Sequence, residues 1–295
     1  MIRPTTRLKL SMQGPRAVIA PGVADAMFAR LVAKHGFDAI YMTGAGTTAV
    51  RLGMPDVGLL TMSEMVDNAA RIVDASGLPL IADADNGYGG VMNVRRTVRE
   101  YERAGVAAIH IEDQVMPKRC GHLGGKMLVP VDEMTAKVRA ACDARVDADF
   151  QIIARTDAIA VEGLDRALER AAAYREAGAD CLFVEAPGPD HLSRIAPVLR
   201  APLLYNMAAS GKTPFLPKEE IEALGFSLII YPNWIILAAL KAAGHVLETL
   251  KKTGSIASLG DEVASFRDFF DLLGMEEVVR LEASYGVPEG SRVTY

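Results

Sequence analysis

The sequence predicts an α/β fold, a parallel TIM-type (β/α)8 barrel with a helical extension at its C-terminus. Three observations carry this. Eight short apolar runs recur along the 295 residues, most of them ending in a polar or charged residue. Segments with helical spacing lie between most of them. The length suits a barrel, since such barrels routinely occupy ~200–250 residues as one domain. Runs without polar alternation are what strands buried on both faces look like. Eight strand–helix units favour a closed barrel over an open sheet, although closure itself is not visible in a sequence.

In order, the runs are AVIAPG (17–22), AIYMTG (39–44), PLIADAD (79–85), AIHIED (108–113), QIIARTD (151–157), CLFVEA (181–186), PLLYNM (202–207) and SLIIYP (227–232). Before the sixth, LDRALERAAAYREAG (164–178) puts Leu164, Leu168, Ala171 and Ala172 on one helical face, with Gly178 as a stop. HGFDAIYMTG, AGVAAIHIED, AGADCLFVEA and LGFSLIIYP repeat one pattern of helix end, glycine turn and strand. From Ser255 onward the chain reads as helical and outside the eight units. No linker-like segment divides the chain. Residues 1–295 are therefore expected to form a single domain, with 255–295 as its extension. The opening MIRPTTRLKLSMQG lacks the apolar core of a signal peptide and reads as a frayed lead-in.

A net charge of -5 offers no basic field for nucleic acid. No apolar run approaches the ~18 residues of a membrane span. Three cysteines argue against a disulfide framework and for a reducing, cytoplasmic setting. Cys142 and Cys181 read as small core residues.

Reacting groups in such barrels project from the C-terminal ends of strands. Those ends carry Asp83 and Asp85, Glu112 and Asp113, Arg155 with Asp157, Glu185, and Asn206, with Asp56 in the loop after the second run. Asp83 and Asp85 are expected on one strand face. Adjacent buried carboxylates repel unless a proton or cation joins them. With Glu112 nearby, a hard cation with oxygen ligands fits, Mg²⁺ or alternatively Mn²⁺. For any single Asp, helix capping or pairing with arginine is the competing reading; for the whole set, clustering favours a functional site. The segment Pro117–Lys126, PKRCGHLGGK, sets one thiol among two lysines, an arginine and a histidine. Such cations favour a thiolate that exchanges protons near neutrality. Its glycines suit a loop that closes over a ligand. It is no Walker motif.

KRCGHLGGK resembles the signature of the isocitrate lyase/phosphoenolpyruvate mutase superfamily. YMTGAGTTA (41–49), LGMPDVG (52–58), ADADNGYG (82–89), HIEDQ (110–114), ARTDAIAVEGLD (154–165), VEAP (184–187) and NMAASGKTP (206–214) are similar too. The resemblance spans roughly residues 15–250. It implies a (β/α)8 barrel whose last helix is exchanged between subunits of a homotetramer, a dimer of dimers. It also implies Asp83 and Asp85 as magnesium-site carboxylates, with Glu112 and Asp56 holding the metal's waters. Thr43, Gly44 and Ala45 match a loop that binds the substrate carboxylate. Cys120 matches the catalytic thiol, with Gly121 beside it and Lys118 and His122 as its electrostatic partners. Arg155, Glu185 and Asn206 match substrate-binding groups. Relatives that cleave the tricarboxylate 2-methylisocitrate carry a hydroxyl residue where this chain has Ala208 and an arginine where it has Leu237. Trp234 stands where relatives often carry serine. These departures point to a smaller or less charged substrate tail.

The expected chemistry is cleavage of a carbon–carbon bond in a small 2-hydroxy dicarboxylate such as 2,3-dimethylmalate, releasing a 2-oxo acid such as pyruvate. Cys120 acts as general acid and Tyr41 is a candidate base. Alternatives are 2-methylisocitrate cleavage, oxaloacetate hydrolysis or decarboxylation, and phosphoenolpyruvate or phosphonopyruvate chemistry. A non-enzymatic barrel that only binds ligand is disfavoured by the acidic cluster and Cys120.

Overall fold

The computed structural model describes residues 2–121 and 124–294. Among them, eight parallel strands close into a barrel in chain order. They are β1 (Val18–Val23), β2 (Ile40–Met42), β3 (Leu80–Asp83), β4 (Ala108–Glu112), β5 (Gln151–Thr156), β6 (Cys181–Val184), β7 (Leu203–Asn206) and β8 (Leu228–Tyr231). Each expected run contains one strand. The seam pairs Val18–Pro21 of β1 with Leu228–Tyr231 of β8.

The runs read as uniformly apolar because each strand feeds two cores. Ile152 packs outward under the helices, whereas its neighbour Ile153 packs into the barrel. The interior also takes Val18, Ala20, Ile81, Phe183, Leu204 and Ile230. Helices between the strands start and stop on local signals. Thr61 and Glu64 form a capping box at the start of the Met62–Ser76 helix, which ends at Gly77 with φ 62. The Leu164–Glu176 helix buries Leu164, Leu168 and Ala171 as its spacing requires.

The opening segment is not frayed. Pro4–Met12 is a helix whose Leu8 and Met12, one turn apart, are buried in the barrel's inner core. Thr5 donates to Asp147, and Thr6 and Lys9 donate to Asp149, just before β5. This helix closes the N-terminal mouth of the barrel, away from the strand ends that carry the site. Its few apolar residues gave a weak signal, since only the two that reach the interior need to be apolar.

By packing, the chain divides into Met1–Ile236 and Leu237–Tyr295. The sequence reading put the extension at Ser255. The Trp234–Thr253 helix, which spans that division, has no buried residue, with Leu240 and Leu247 exposed. The second unit contributes the helices Phe266–Leu272 and Met275–Ser284. On the barrel unit, Ile19, Pro21, Leu31, Val32, Phe37, Tyr231, Trp234 and Ile235 line an apolar groove of about 470 Å³. Among the described residues, no helix is long and apolar enough to cross a membrane.

Candidate active site

Strand register brings the polar strand ends together. β3 pairs Asp83 with His110 of β4, β4 pairs Glu112 with Arg155 of β5, and β5 pairs Arg155 with Phe183 of β6. Asp83 is the last residue of β3, and its carboxylate accepts from the amides of Gly44 (3.2 Å) and Asp85 (3.0 Å). Asp85 does not share a strand face with it. The strand has ended, and Asp85 adopts φ 47, in the left-handed region. A turn therefore aims its carboxylate, which meets Lys118 Nζ at 2.7 Å. The same ammonium lies 2.7 Å from Asp56. Glu112 Oε2 is 3.3 Å from Arg155 Nε, while its Oε1 is buried and finds no hydrogen-bond partner among the described residues.

Burial dominates the electrostatics. It pushes Asp85 up to about 6 against the pull of Lys118, and raises Glu112 well above its ordinary value. Burial acts on Asp83 too, but the surrounding positive groups outweigh it and hold that carboxyl down. His110 is itself driven down to about 4 by burial, so it is neutral near pH 7 and the lasting cations are Lys118 and Arg155. Tyr41 donates to or accepts from His110 at 2.8 Å, and burial followed by Asp83 holds it as a phenol. A base role for Tyr41 would need a cation to oppose both effects.

No three of the described carboxylate, histidine and cysteine side chains converge closely enough to enclose a bare ion. The donor set still fits a hydrated hard cation. It is all oxygen, Glu112 Oε1 lacks a partner among the described residues, and Asp56 and Asp85 already gather round a positive charge, the Lys118 ammonium. Mg²⁺ needs few protein ligands because it keeps several waters.

The cysteine loop is pinned at both ends of its described part. Gln114 holds the amide and carbonyl of Arg119, and the Cys120 amide donates to the Asp56 carbonyl. Lys126 donates to the Gly121 carbonyl and to Asp157. Gly121 must lack a side chain, because a Cβ there would collide with Arg155 Nη2 and Glu185 Oε1. Arg155 is gripped by Asp157 through two bonds of 2.9 and 3.0 Å, and its guanidinium lies 5.0 Å from the Phe183 ring centre. Asn206 donates to Glu185 at 3.1 Å. Thr43 caps the Gly44–Leu52 helix and donates to Asn233 Oδ1 at 2.9 Å.

One cavity of about 50 Å³ collects most of the expected residues: Tyr41, Thr43, Ala45, Asp56, Asp83, Glu112, Lys118, Cys120, Gly121, Arg155, Glu185 and Asn206 all line it. Gly44 and Asp85 stand behind the wall, holding Asp83 and Lys118. His122 lies outside the described residues. Ala208 lines the cavity as expected. Trp234 does not: its Nε1 donates to the Met207 carbonyl at 2.6 Å, its ring packs on Phe215, and it lines the outer apolar groove. Sequence reasoning missed Phe183 and Asn233. Phe183 sits in an apolar run, where a ring serving the site looks like any core residue. The YPNW segment drew attention to Trp234, when its neighbour Asn233 is the one facing inward.

A closed barrel with acid, thiol and guanidinium groups at its C-terminal mouth defines an enzyme-type site on a (β/α)8 scaffold. A family model described as phosphoenolpyruvate phosphomutase matches residues 8–251, and the chain belongs to that family. It is 50% identical over 271 residues to 2,3-dimethylmalate lyase of Eubacterium barkeri, covering 92% of this chain and 94% of that protein. It is 43% identical over 282 residues to 2-methylisocitrate lyase of Aeropyrum pernix, covering 95% and 91%. A crystal structure of 2,3-dimethylmalate lyase superposes with TM-score 0.93 at 39% identity, covering 100% of both chains. A structure of phosphonopyruvate hydrolase with oxalate and Mg²⁺ superposes with TM-score 0.88 at 31% identity, covering 96% and 99%.

Proposed function

We propose that the chain is a carbon–carbon bond lyase that cleaves a small 2-hydroxy dicarboxylate such as 2,3-dimethylmalate. The observation that carries this reading is the shared cavity. It places a thiol, an arginine and a cluster of oxygen donors around one space of about 50 Å³. That chemistry suits a reaction that deprotonates a hydroxyl at one carbon and protonates the next.

Asp83 and Asp85, with Glu112 and Asp56 reaching through water, would hold Mg²⁺, which as a Lewis acid favours the ionised 2-hydroxyl. Thr43, Ala45 and Asn206 bind and orient the substrate's carboxylates. Loss of the hydroxyl proton lets the oxygen form a carbonyl as the C2–C3 bond breaks, giving pyruvate. The bonding pair passes to C3 of the departing fragment as an enolate-like carboxylate, whose charge Arg155 balances. Cys120 then gives that carbon a proton, yielding propionate from 2,3-dimethylmalate. Lys118 supplies positive charge beside the carboxylates.

One feature supports the smaller substrate over 2-methylisocitrate: Ala208 in the cavity wall offers a third carboxylate neither charge nor hydrogen bond. Losing one member of a buried charge pair costs ~2–5 kcal/mol. A deficit of ~3 kcal/mol corresponds to more than about 100-fold in kcat/KM. The test is release of 2-oxo acid from a panel of 2-hydroxy di- and tricarboxylates, followed by NMR. We expect 2,3-dimethylmalate to exceed 2-methylisocitrate by that factor; efficient cleavage of 2-methylisocitrate alone overturns the substrate assignment.

The exposed apolar residues of the Trp234–Thr253 helix and the apolar groove on the barrel unit support an exchanged helix in a homotetramer. We read the two units as one catalytic domain with its extension.

A further inference from the structure

We infer that Lys126 is a positioning residue that, by holding the Gly121 carbonyl, sets the adjoining Cys120 against Arg155. The segment that holds Cys120 has a buried lysine at each end, Lys118 and Lys126. Lys118 is accounted for by the carboxylates Asp56 and Asp85. Lys126 has different partners. Its side chain is 2% exposed, and its ammonium bonds the Gly121 carbonyl at 2.6 Å and Asp157 Oδ1 at 2.7 Å. Taking an ammonium out of water costs several kcal/mol, so a solvated basic loop would leave it outside.

Asp157 is a fixed anchor. Its amide donates to Asp113 Oδ1, and Asp113 Oδ2 accepts from the hydroxyls of Thr156 and Tyr174. The same Asp157 carboxylate grips Arg155. One carboxylate thus holds both the guanidinium in the cavity and, through Lys126, the carbonyl directly after Cys120. The contact is close: at Gly121 there is no room for a Cβ between loop, Arg155 and Glu185. Releasing the carbonyl frees Cys120 to move relative to Arg155 without altering any group that touches substrate.

This deepens the lyase reading, but its first test needs no substrate. Iodoacetamide labelling of Cys120 is followed by peptide mass spectrometry, with Cys142 and Cys181 as internal references. Lys126→Met removes both bonds at similar length. Charge-assisted bonds are worth ~1.5–3 kcal/mol, so we expect Cys120 labelling to rise about 10-fold or more, with the reference cysteines unchanged. Lys126→Gln keeps a donor for the carbonyl without the charge, and recovers part of the protection. In turnover, small misplacements of reacting groups cost about 10²-fold, so kcat falls by that order in Lys126→Met while KM moves less than about threefold. Wild-type labelling and kcat in a folded Lys126→Met, or a Gln variant no better than Met, overturns the inference. Should Lys126→Met not fold, Lys126→Ala, which also removes both bonds, is labelled in its place; wild-type Cys120 labelling there overturns it equally. Failure of the unmodified protein to turn over any 2-hydroxy acid would count against the lyase reading and leave the labelling result standing.

Discussion

Cys120 stands on the wall of a cavity that it shares with carboxylates and cations, so its proton has somewhere useful to go. General acids contribute ~10²–10⁴-fold, and Cys120→Ser is expected to lower kcat by at least the lower figure while KM changes little. Cys181, buried inside the barrel, and Cys142, on a helix, should alter urea unfolding rather than rate when changed to serine. Near-normal turnover in Cys120→Ser would remove it as the acid. The metal reading has its own residue-scale test. EDTA is expected to abolish turnover and Mg²⁺ or Mn²⁺ to restore it, and Asp85→Ala should be inactive with an unchanged circular dichroism spectrum. Full activity in the stripped protein defeats that reading. Most cavity residues were legible because a charge at the end of an apolar run has few reasons to be there. The geometry expected for Asp85 does not hold. Residues two apart suggest a shared face only while the strand lasts, and no residue type between Asp83 and Asp85 announces that the strand has stopped. Asn233 and Phe183 were hidden because their roles depend on partners distant in sequence, Thr43 and Arg155.

At the scale of elements, strands were easier to read than the pieces that seal the barrel. A doubly buried strand must be apolar throughout, whereas the Pro4–Met12 helix needs only Leu8 and Met12 to be so. Its remaining side chains are polar and several meet Asp147 and Asp149, which looks like a solvated lead-in on composition. Leu8 is 1% exposed. Its truncation removes apolar contacts and leaves a cavity, typically costing ~2–5 kcal/mol. Leu8→Ala should therefore lower stability in urea by that amount. Because the helix closes the mouth opposite the site, kcat of the surviving folded protein should stay within about twofold of the original. A stability loss below ~0.5 kcal/mol, the level of surface changes, would mean that the helix is not docked in solution.

For the whole molecule, barrel closure was the inference furthest beyond the residues, since eight strand–helix units favour a barrel but only the pairing of the first and last strands closes it. Where a packing unit begins is hard to read from sequence for a related reason. A helix is recognised by its own periodicity, but whether it is packed depends on surfaces elsewhere, and the Trp234–Thr253 helix reads like any other. The seam has a consequence for how the protein is made. Val18–Pro21 leaves the ribosome about 200 residues before its partner Leu228–Tyr231 exists. Until then the growing sheet has two open edges, which are ready templates for pairing with other chains, and contacts so distant in sequence form slowly. Asp83, Glu112 and Arg155 are all synthesised early, yet they line a finished cavity only once the final strand arrives. A chain interrupted before β8 is thus a sticky intermediate for chaperones to guard, and no partial enzyme exists along the way.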